Sequence, residues 1–300
     1  MRTGERKMRS CAKLRKGIGG FTLIELLVVI AIIALLMAVL IPALSRARKQ
    51  GKRAVCLSNT KQLVLGWTAY ADTYDGKIVN GGQAPPPCDA AGFSRTETYW
   101  CSGFPTTALY GYDWNWRPIN WCSTPFLNYE QRVEKLKEGA LWPYLKDPQI
   151  FRCPESKKEF HRTYSIVDSM NASWAGMEIS GFGPEGEIFK NLGQIKKPSE
   201  KIVFIEEGNP SSDAFIVVYS QPRWVDKPQA PHVKGAIFGI ADGHSEFWKW
   251  EDERTLCWAG VDWANPTDPP GCSIDQPGNK DMQKVQISTW GKLGYTPTSP

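Results

Sequence analysis

The 300-residue chain has 36 Lys and Arg against 31 Asp and Glu, a formal net charge of +5, but the excess is confined to one end. Residues 1–20 hold seven basic residues (Arg2, Arg6, Lys7, Arg9, Lys13, Arg15, Lys16) and one acidic residue, Glu5, so everything after Gly20 carries a formal −1. A near-neutral remainder excludes nucleic acid as its partner, because phosphate binding needs a persistent basic surface.

The basic segment ends in Gly19-Gly20, and an apolar run from Phe21 to Ile41 follows, with a single carboxylate, Glu25, near its start. At ~1.5 Å per residue this run makes a helix of roughly 30 Å, the thickness of a bilayer's hydrocarbon core. Cations before such a run keep their end on the cytoplasmic side. A secretory signal has a shorter apolar stretch with its small residues after it, and here the glycine pair comes first. A carboxylate inside a spanning helix costs about 2.5–3.5 kcal/mol on insertion scales, so Glu25 calls for a partner unless it snorkels to the interface. Pro42 directly follows the run; lacking an N–H and crowding the preceding turn, it should kink or loosen the helix.

This segment, Gly19-Gly20-Phe21 with Glu25 and Pro42, resembles the type IV pilin and type II secretion pseudopilin superfamily. The resemblance implies that prepilin peptidase cuts after Gly20 and methylates the new terminus at Phe21. It further implies that Glu25 pairs with a neighbouring subunit's amino terminus during filament assembly, and that Pro42 is the family's helix-kinking proline. The implied fold is α+β and pilin-like: a long amino-terminal helix, membrane-spanning in its first half, packed on an antiparallel β-sheet head.

Along the chain we expect a cleaved leader at 1–20, a transmembrane and assembly helix at 21–42, and its extracytoplasmic continuation at 43–72. A globular head follows at 73–254, with an irregular insertion at 81–127, and then an irregular tail at 255–300. Cys56, Leu63, Trp67 and Tyr70 recur at helical spacing, one stripe facing the head. Arg46, Arg48, Lys49, Lys52 and Arg53 lie just past the membrane, where they can meet lipid headgroups. Asp72 and Asp75, beside Gly76, read as a helix-ending turn; as metal ligands they are weak candidates, because their spacing departs from a calcium loop.

The insertion is dense in aromatics, among them Tyr99, Trp100, Trp114, Trp116 and Trp121, and holds Cys88, Cys101 and Cys122. It reads as a local core, or as a stacking surface for a glycan. Residues 130–147 read as helix, Ile150 to Pro154 as a short strand or turn, and 201–206 and 214–219 as strands. Gly235 to Trp250 reads as a hairpin about Asp242-Gly243. His232 precedes Asp242-Gly243 by a spacing that resembles a carboxy-terminal His-x9-Asp-Gly pattern found in a subfamily with this leader. Cys56-Leu-Ser-Asn59 and Phe151-Arg-Cys153-Pro154 resemble that subfamily too. Along one hairpin His232 and the turn lie roughly 20 Å or more apart, too far to share an ion, so the pattern reads as structural.

Cys11 leaves with the leader, and no two of the seven remaining cysteines have the close spacing of a zinc knuckle or redox dithiol. In an exported chain dispersed cysteines form disulfides more often than not. Cys257 with Cys272, closing a loop in the tail, and Cys56 with Cys153, tying helix to head, are the candidate pairs; buried free thiols are the alternative. No cofactor and no metal is expected.

Two functions compete. One is a non-enzymatic structural subunit of a type II secretion or type IV pilus-like filament, anchored in the inner membrane with its head outside the cytoplasm. Its partners are prepilin peptidase, other pilin-like subunits, the inner-membrane assembly platform and membrane lipid. The other is a membrane-tethered binding protein for a glycan or protein partner that never polymerises. An enzyme is the weakest reading, since no nucleophile elbow, P-loop or dinucleotide fingerprint occurs.

Overall fold

The structure, a computed structural model, describes residues 21–83, 99–101, 110–112, 118–120, 128–156, 160–174, 177–178, 183–184, 188–207, 214–260 and 272–298. It divides into two compact units, Met1–Arg48 and Lys49–Pro300.

The first unit holds the start of α1 (Leu23–Thr73), a helix that continues through Pro42 without a break. Pro42 removes one N–H donor from the ladder, the bond otherwise made to the carbonyl of Ala38. Side chains from Phe21 to Leu44 are exposed on every face of this segment. A helix apolar all round has no stable solvated face, so it requires lipid or other apolar helices. Among the described residues it is the one helix long and apolar enough to cross a membrane.

In the second unit α1 turns amphipathic. Cys56, Asn59, Thr60, Leu63, Val64, Trp67, Tyr70 and Ala71 are buried, the helical stripe anticipated from spacing. The helix ends where Asp75 enters the left-handed region (φ 54°) and Gly76 N–H bonds back to the Ala71 carbonyl at 2.8 Å. Asp72 and Asp75 are exposed there.

The inserted region contributes four short strands: β1 (Asn80–Gln83), β2 (Tyr99–Cys101), β3 (Tyr110–Tyr112) and β4 (Pro118–Asn120), with β1 parallel to β2 and β3 antiparallel to β4. The side chains of Trp114, Trp116, Cys88 and Cys122, and with them the expected stacking surface, lie outside the described residues. The helix expected over 130–147 is two pieces, α2 (Tyr129–Leu136) and α3 (Trp142–Leu145), with Pro143 inside the second. Ile150 and Phe151 close a 3-10 turn, Pro148–Phe151, capped by Asp147 accepting from Gln149 N–H at 2.9 Å.

The core sheet is antiparallel and runs β10 (Ser245–Lys249), β9 (Gly235–Ile240), β8 (Ile202–Glu206), β5 (Tyr164–Ile166). A further short ladder pairs β6 (Ser173–Trp174) with β7 (Met177–Glu178). Every residue of β8 and β9 is buried, which places both strands inside the sheet. Gly243 (φ 102°) makes the β9–β10 turn. The strand anticipated at 214–219 is instead an extended segment held by isolated bridges, Val167 to Phe215 and Val217 to Trp224.

The tail was expected to be irregular, but it carries α4 (Glu253–Gly260) and α5 (Lys280–Trp290). Asn279 caps α5 by accepting Met282 N–H at 3.1 Å, and Gly291 (φ 84°) ends it. The helix is bound to the sheet unit by Trp290 Nε1 donating to the Val217 carbonyl at 2.7 Å and Lys201 Nζ to the Thr289 carbonyl at 3.3 Å. Cys257 and Cys272 form a disulfide that joins α4 to the segment leading into α5.

Candidate functional site

Among the described residues, two places carry chemistry. The first is the start of α1. Thr22 is its N-cap: Thr22 Oγ1 accepts Glu25 N–H at 3.2 Å, while Glu25 Oε2 accepts both the Thr22 N–H and the Thr22 hydroxyl at 2.8 Å. This reciprocal arrangement satisfies two of the donors a helix start leaves open. Glu25 therefore has a local partner within a single chain, a hydrogen-bonding one that the Thr22-x-x-Glu25 spacing signals and that its charge alone does not. Phe21 is exposed beside it, and Gly20 lies outside the described residues.

The second is inside the sheet unit. Helix periodicity turns Cys56 inward one turn before Thr60, whose hydroxyl bonds the Cys56 carbonyl at 2.9 Å. Asn59, also buried, donates to the carbonyls of Gln149 and Arg152 at 3.0 and 3.1 Å, which fixes the 3-10 turn on the helix and brings Cys153 to Cys56. Strand alternation puts Glu206 on the same face of β8 as Phe204, the face that packs on α1 through Gly239. His232 is delivered by a tight turn before β9 in which Val233 (φ 55°) and Lys234 (φ 65°) are both left-handed. A β-branched residue there is strained by ~1–3 kcal/mol, strain that persists only where the surroundings impose it.

The result is a polar knot in an apolar core. Cys56 Sγ and Cys153 Sγ are 2.9 Å apart, His232 Nε2 is 3.3 Å from Cys153 Sγ, and the same nitrogen is 3.3 Å from Glu206 Oε1. The four donor atoms lie within 4.8 Å of one another, and the His232 and Glu206 side chains are both 0% exposed. Glu206 Oε2 accepts Ile237 N–H at 3.2 Å, which leaves Oε1 turned to His232 with no hydrogen bond of its own. Glu155 N–H points at Cys153 Sγ from 3.3 Å.

Charge in the knot is set by these contacts. The Cys153 thiol is pushed well up by its bond to Cys56 and by burial. Burial lowers His232, but its contact with Cys153 and the adjoining Glu206 outweigh that and raise it to about 10. Tyr164, opposite Glu206 on β5, is pushed up by burial and by the Glu206 charge. His232 and Glu206 thus form a fully buried polar pair, costly to break from one side.

Cys56 and Cys153, expected as a disulfide, are in contact as free thiols. His232 and Glu206 stand beside them, so the sulfurs belong to a four-member cluster. Sequence spacing hid this cluster, because Cys56 and Cys153 are 97 residues apart, Cys153 and His232 are 79 apart, and Glu206 and His232 are 26 apart. His232 and Asp242-Gly243 do not meet: Asp242 forms the hairpin turn and bonds His244, which also contacts Glu246 Oε1 at 2.9 Å. Asp72 and Asp75 take no part in the one metal-capable group among the described residues.

Comparison with known proteins places residues 15–41 in the family described as prokaryotic N-terminal methylation motif. No curated protein and no solved structure matches the chain. The motif makes the chain a substrate type for prepilin cleavage and methylation, and the apolar helix beside it is consistent with a single-pass membrane anchor.

Proposed function

We propose that this chain, which has a type IV pilin- or pseudopilin-type amino terminus, is a structural subunit of a type II secretion or type IV pilus-like filament. Prepilin peptidase removes residues 1–20 and methylates Phe21. The basic leader holds the amino terminus in the cytoplasm, and the sheet unit is exported across the inner membrane. The role is architectural, not catalytic.

The observation that carries this reading is the methylation motif over residues 15–41, coinciding with a helix bare on all sides from Phe21 to Leu44. Such a helix is stable in lipid before assembly and against the same helix of other subunits after it, handed over by an assembly platform in the membrane. Glu25 is the only carboxylate in the run and sits in its first turn. In the isolated chain it caps the helix with Thr22, and in the filament it is free to exchange that bond for a neighbour's methylated amine.

The test separates these two roles. Glu25→Ala is expected to be cleaved and inserted normally but to be absent from sheared filaments. Thr22→Ala, which breaks the cap yet keeps the carboxylate, is expected to assemble. Filaments with a normal content of the Glu25→Ala subunit would contradict the proposal.

A further inference from the structure

We propose that Cys56, Cys153, His232 and Glu206 are the four ligands of a buried zinc ion that fastens α1 and the turn after Phe151 to the sheet. The inference does not depend on the filament reading.

The donor set selects the ion. Two sulfurs, an imidazole nitrogen and one carboxylate oxygen suit a borderline-soft, tetrahedral cation, whereas magnesium and calcium take oxygen shells. The geometry is close to that shell. With metal–ligand bonds of ~2.0–2.3 Å, tetrahedral edges are about 3.3 Å between nitrogen and oxygen, 3.6 Å between nitrogen and sulfur, and 3.8 Å between sulfurs. The corresponding separations are 3.3 Å for His232 and Glu206, 3.3 Å for His232 and Cys153, and 2.9 Å for Cys56 and Cys153. Two edges fit within a few tenths of an ångström, and the sulfurs need to part by about 0.9 Å to complete the third.

The surroundings are arranged as for ligands. Glu206 has one oxygen anchored by Ile237 N–H and the other left without a hydrogen bond, facing the cluster. Glu155 N–H is directed at Cys153 Sγ, a contact that favours thiolate over thiol. The Cys153 carbonyl is held by Ser156 through both its N–H (3.0 Å) and its hydroxyl (2.6 Å), so the loop presents the sulfur in one orientation. The strained pair Val233-Lys234 is what aims His232 inward. On binding, the Cys56 and Cys153 thiols and Nε2 of His232 each give up the proton they carry to solvent, and His232 binds as the neutral imidazole through Nε2. Two thiolates and a carboxylate around a dication leave a net charge of −1. Four protein ligands close the shell, so the ion is structural and has no open position for a substrate.

The competing chemistry for the same sulfurs is a Cys56–Cys153 disulfide, and one preparation distinguishes them. The full chain is purified from membranes in detergent, without chelator or reductant, and analysed for metal by mass spectrometry and for thiols by alkylation. The expected result is about one zinc per chain, with Cys56 and Cys153 alkylated only after chelation. Cobalt substituted for zinc should give the visible bands of a tetrahedral thiolate-bound ion. Cys153→Ser should lose at least ten-fold in bound metal. Glu206→Gln and His232→Gln keep side-chain size, so they report ligand loss in a chain whose circular dichroism stays native; each is expected to weaken cobalt binding and shift its bands. A natively folded protein with little zinc, an intact Cys56–Cys153 disulfide, or cobalt spectra unchanged in both Gln variants would each overturn the assignment.

Discussion

Gly239 should not tolerate a methyl group. It lies on β9 where α1 crosses, and a Cβ there would stand 2.6 Å from Val64 Cγ2, 3.0 Å from Thr60 Cγ2 and 3.2 Å from Phe204 Cβ. None of these atoms can yield cheaply. Val64 and Thr60 are β-branched and buried in a helix, where rotamer choice is narrow, and the Thr60 hydroxyl is tied to the Cys56 carbonyl at 2.9 Å. The Phe204 Cβ moves only with β8. Overpacking of this kind costs ~1–3 kcal/mol, and removing glycine's freedom in the unfolded chain returns ~0.5–1 kcal/mol, so Gly239→Ala should destabilise the sheet unit by about 1–2 kcal/mol. Gly51→Ala is the control: it is the same change on α1, with nothing within 4 Å of the new methyl, and should stabilise by ~0.5–1 kcal/mol. Urea unfolding of the full chain in mild detergent, followed through the fluorescence of buried Trp67 and Trp250, reads both. A Gly239→Ala midpoint equal to the parent's would refute helix-on-glycine packing, as would two variants shifting in the same direction.

The pH dependence of stability should include a term from His244. Its bonds to Glu246 and then Asp242 raise its pKa against slight burial, and Glu246 is lowered by Trp248 Nε1 and by His244, with Lys284 of α5 the other charge facing it. A raised folded-state pKa stabilises fully below the unfolded value of ~6.5 and ceases to do so as pH rises through the folded value. His244→Ala should therefore melt below the parent in mildly acidic buffer, with the gap closing at alkaline pH; a gap constant across that range would contradict the assignment. The Cys257–Cys272 disulfide spans a sequence separation of 15, and opening a loop of that size costs about 3 kcal/mol. Replacing both cysteines with serine should lower the urea midpoint accordingly without moving Cys56 or Cys153 alkylation.

How far these features could be read from sequence depends on their range. The anchor helix is written in consecutive residues, and so is the hairpin about Asp242-Gly243, because each needs only local periodicity and turn chemistry. The stripe on the second half of α1 was legible for the same reason. The tail was misread because its helix α5 is only weakly amphipathic, with Gln283, Gln286 and Thr289 buried among its apolar residues. Gln286 is held there by tertiary bonds, its Nε2 donating to the Val218 carbonyl at 2.5 Å and the Gln221 carbonyl at 2.8 Å, which no local pattern announces. The segment 214–219 has strand composition but bonds through single bridges, Asp168 Oδ2 taking Val217 N–H at 3.1 Å and Asp226 Oδ2 taking Ile216 N–H at 2.6 Å. Side chains there supply what a neighbouring strand otherwise would.

The buried cluster was the least legible feature. Cys56, Cys153 and His232 each stood out, but as members of separate local patterns. Glu206 was hidden at the end of an apolar strand. Asn59 is the residue that joins them, by holding the 3-10 turn against α1, and its role is apparent only once that turn is in place.

Mass spectrometry of the protein recovered from membranes tests the processing of the amino-terminal segment most directly. A mature chain beginning at Phe21 and carrying one amino-terminal methyl group is the predicted result. A chain that retains residues 1–20, or one that starts beyond Ile41 with the helix removed, would contradict it.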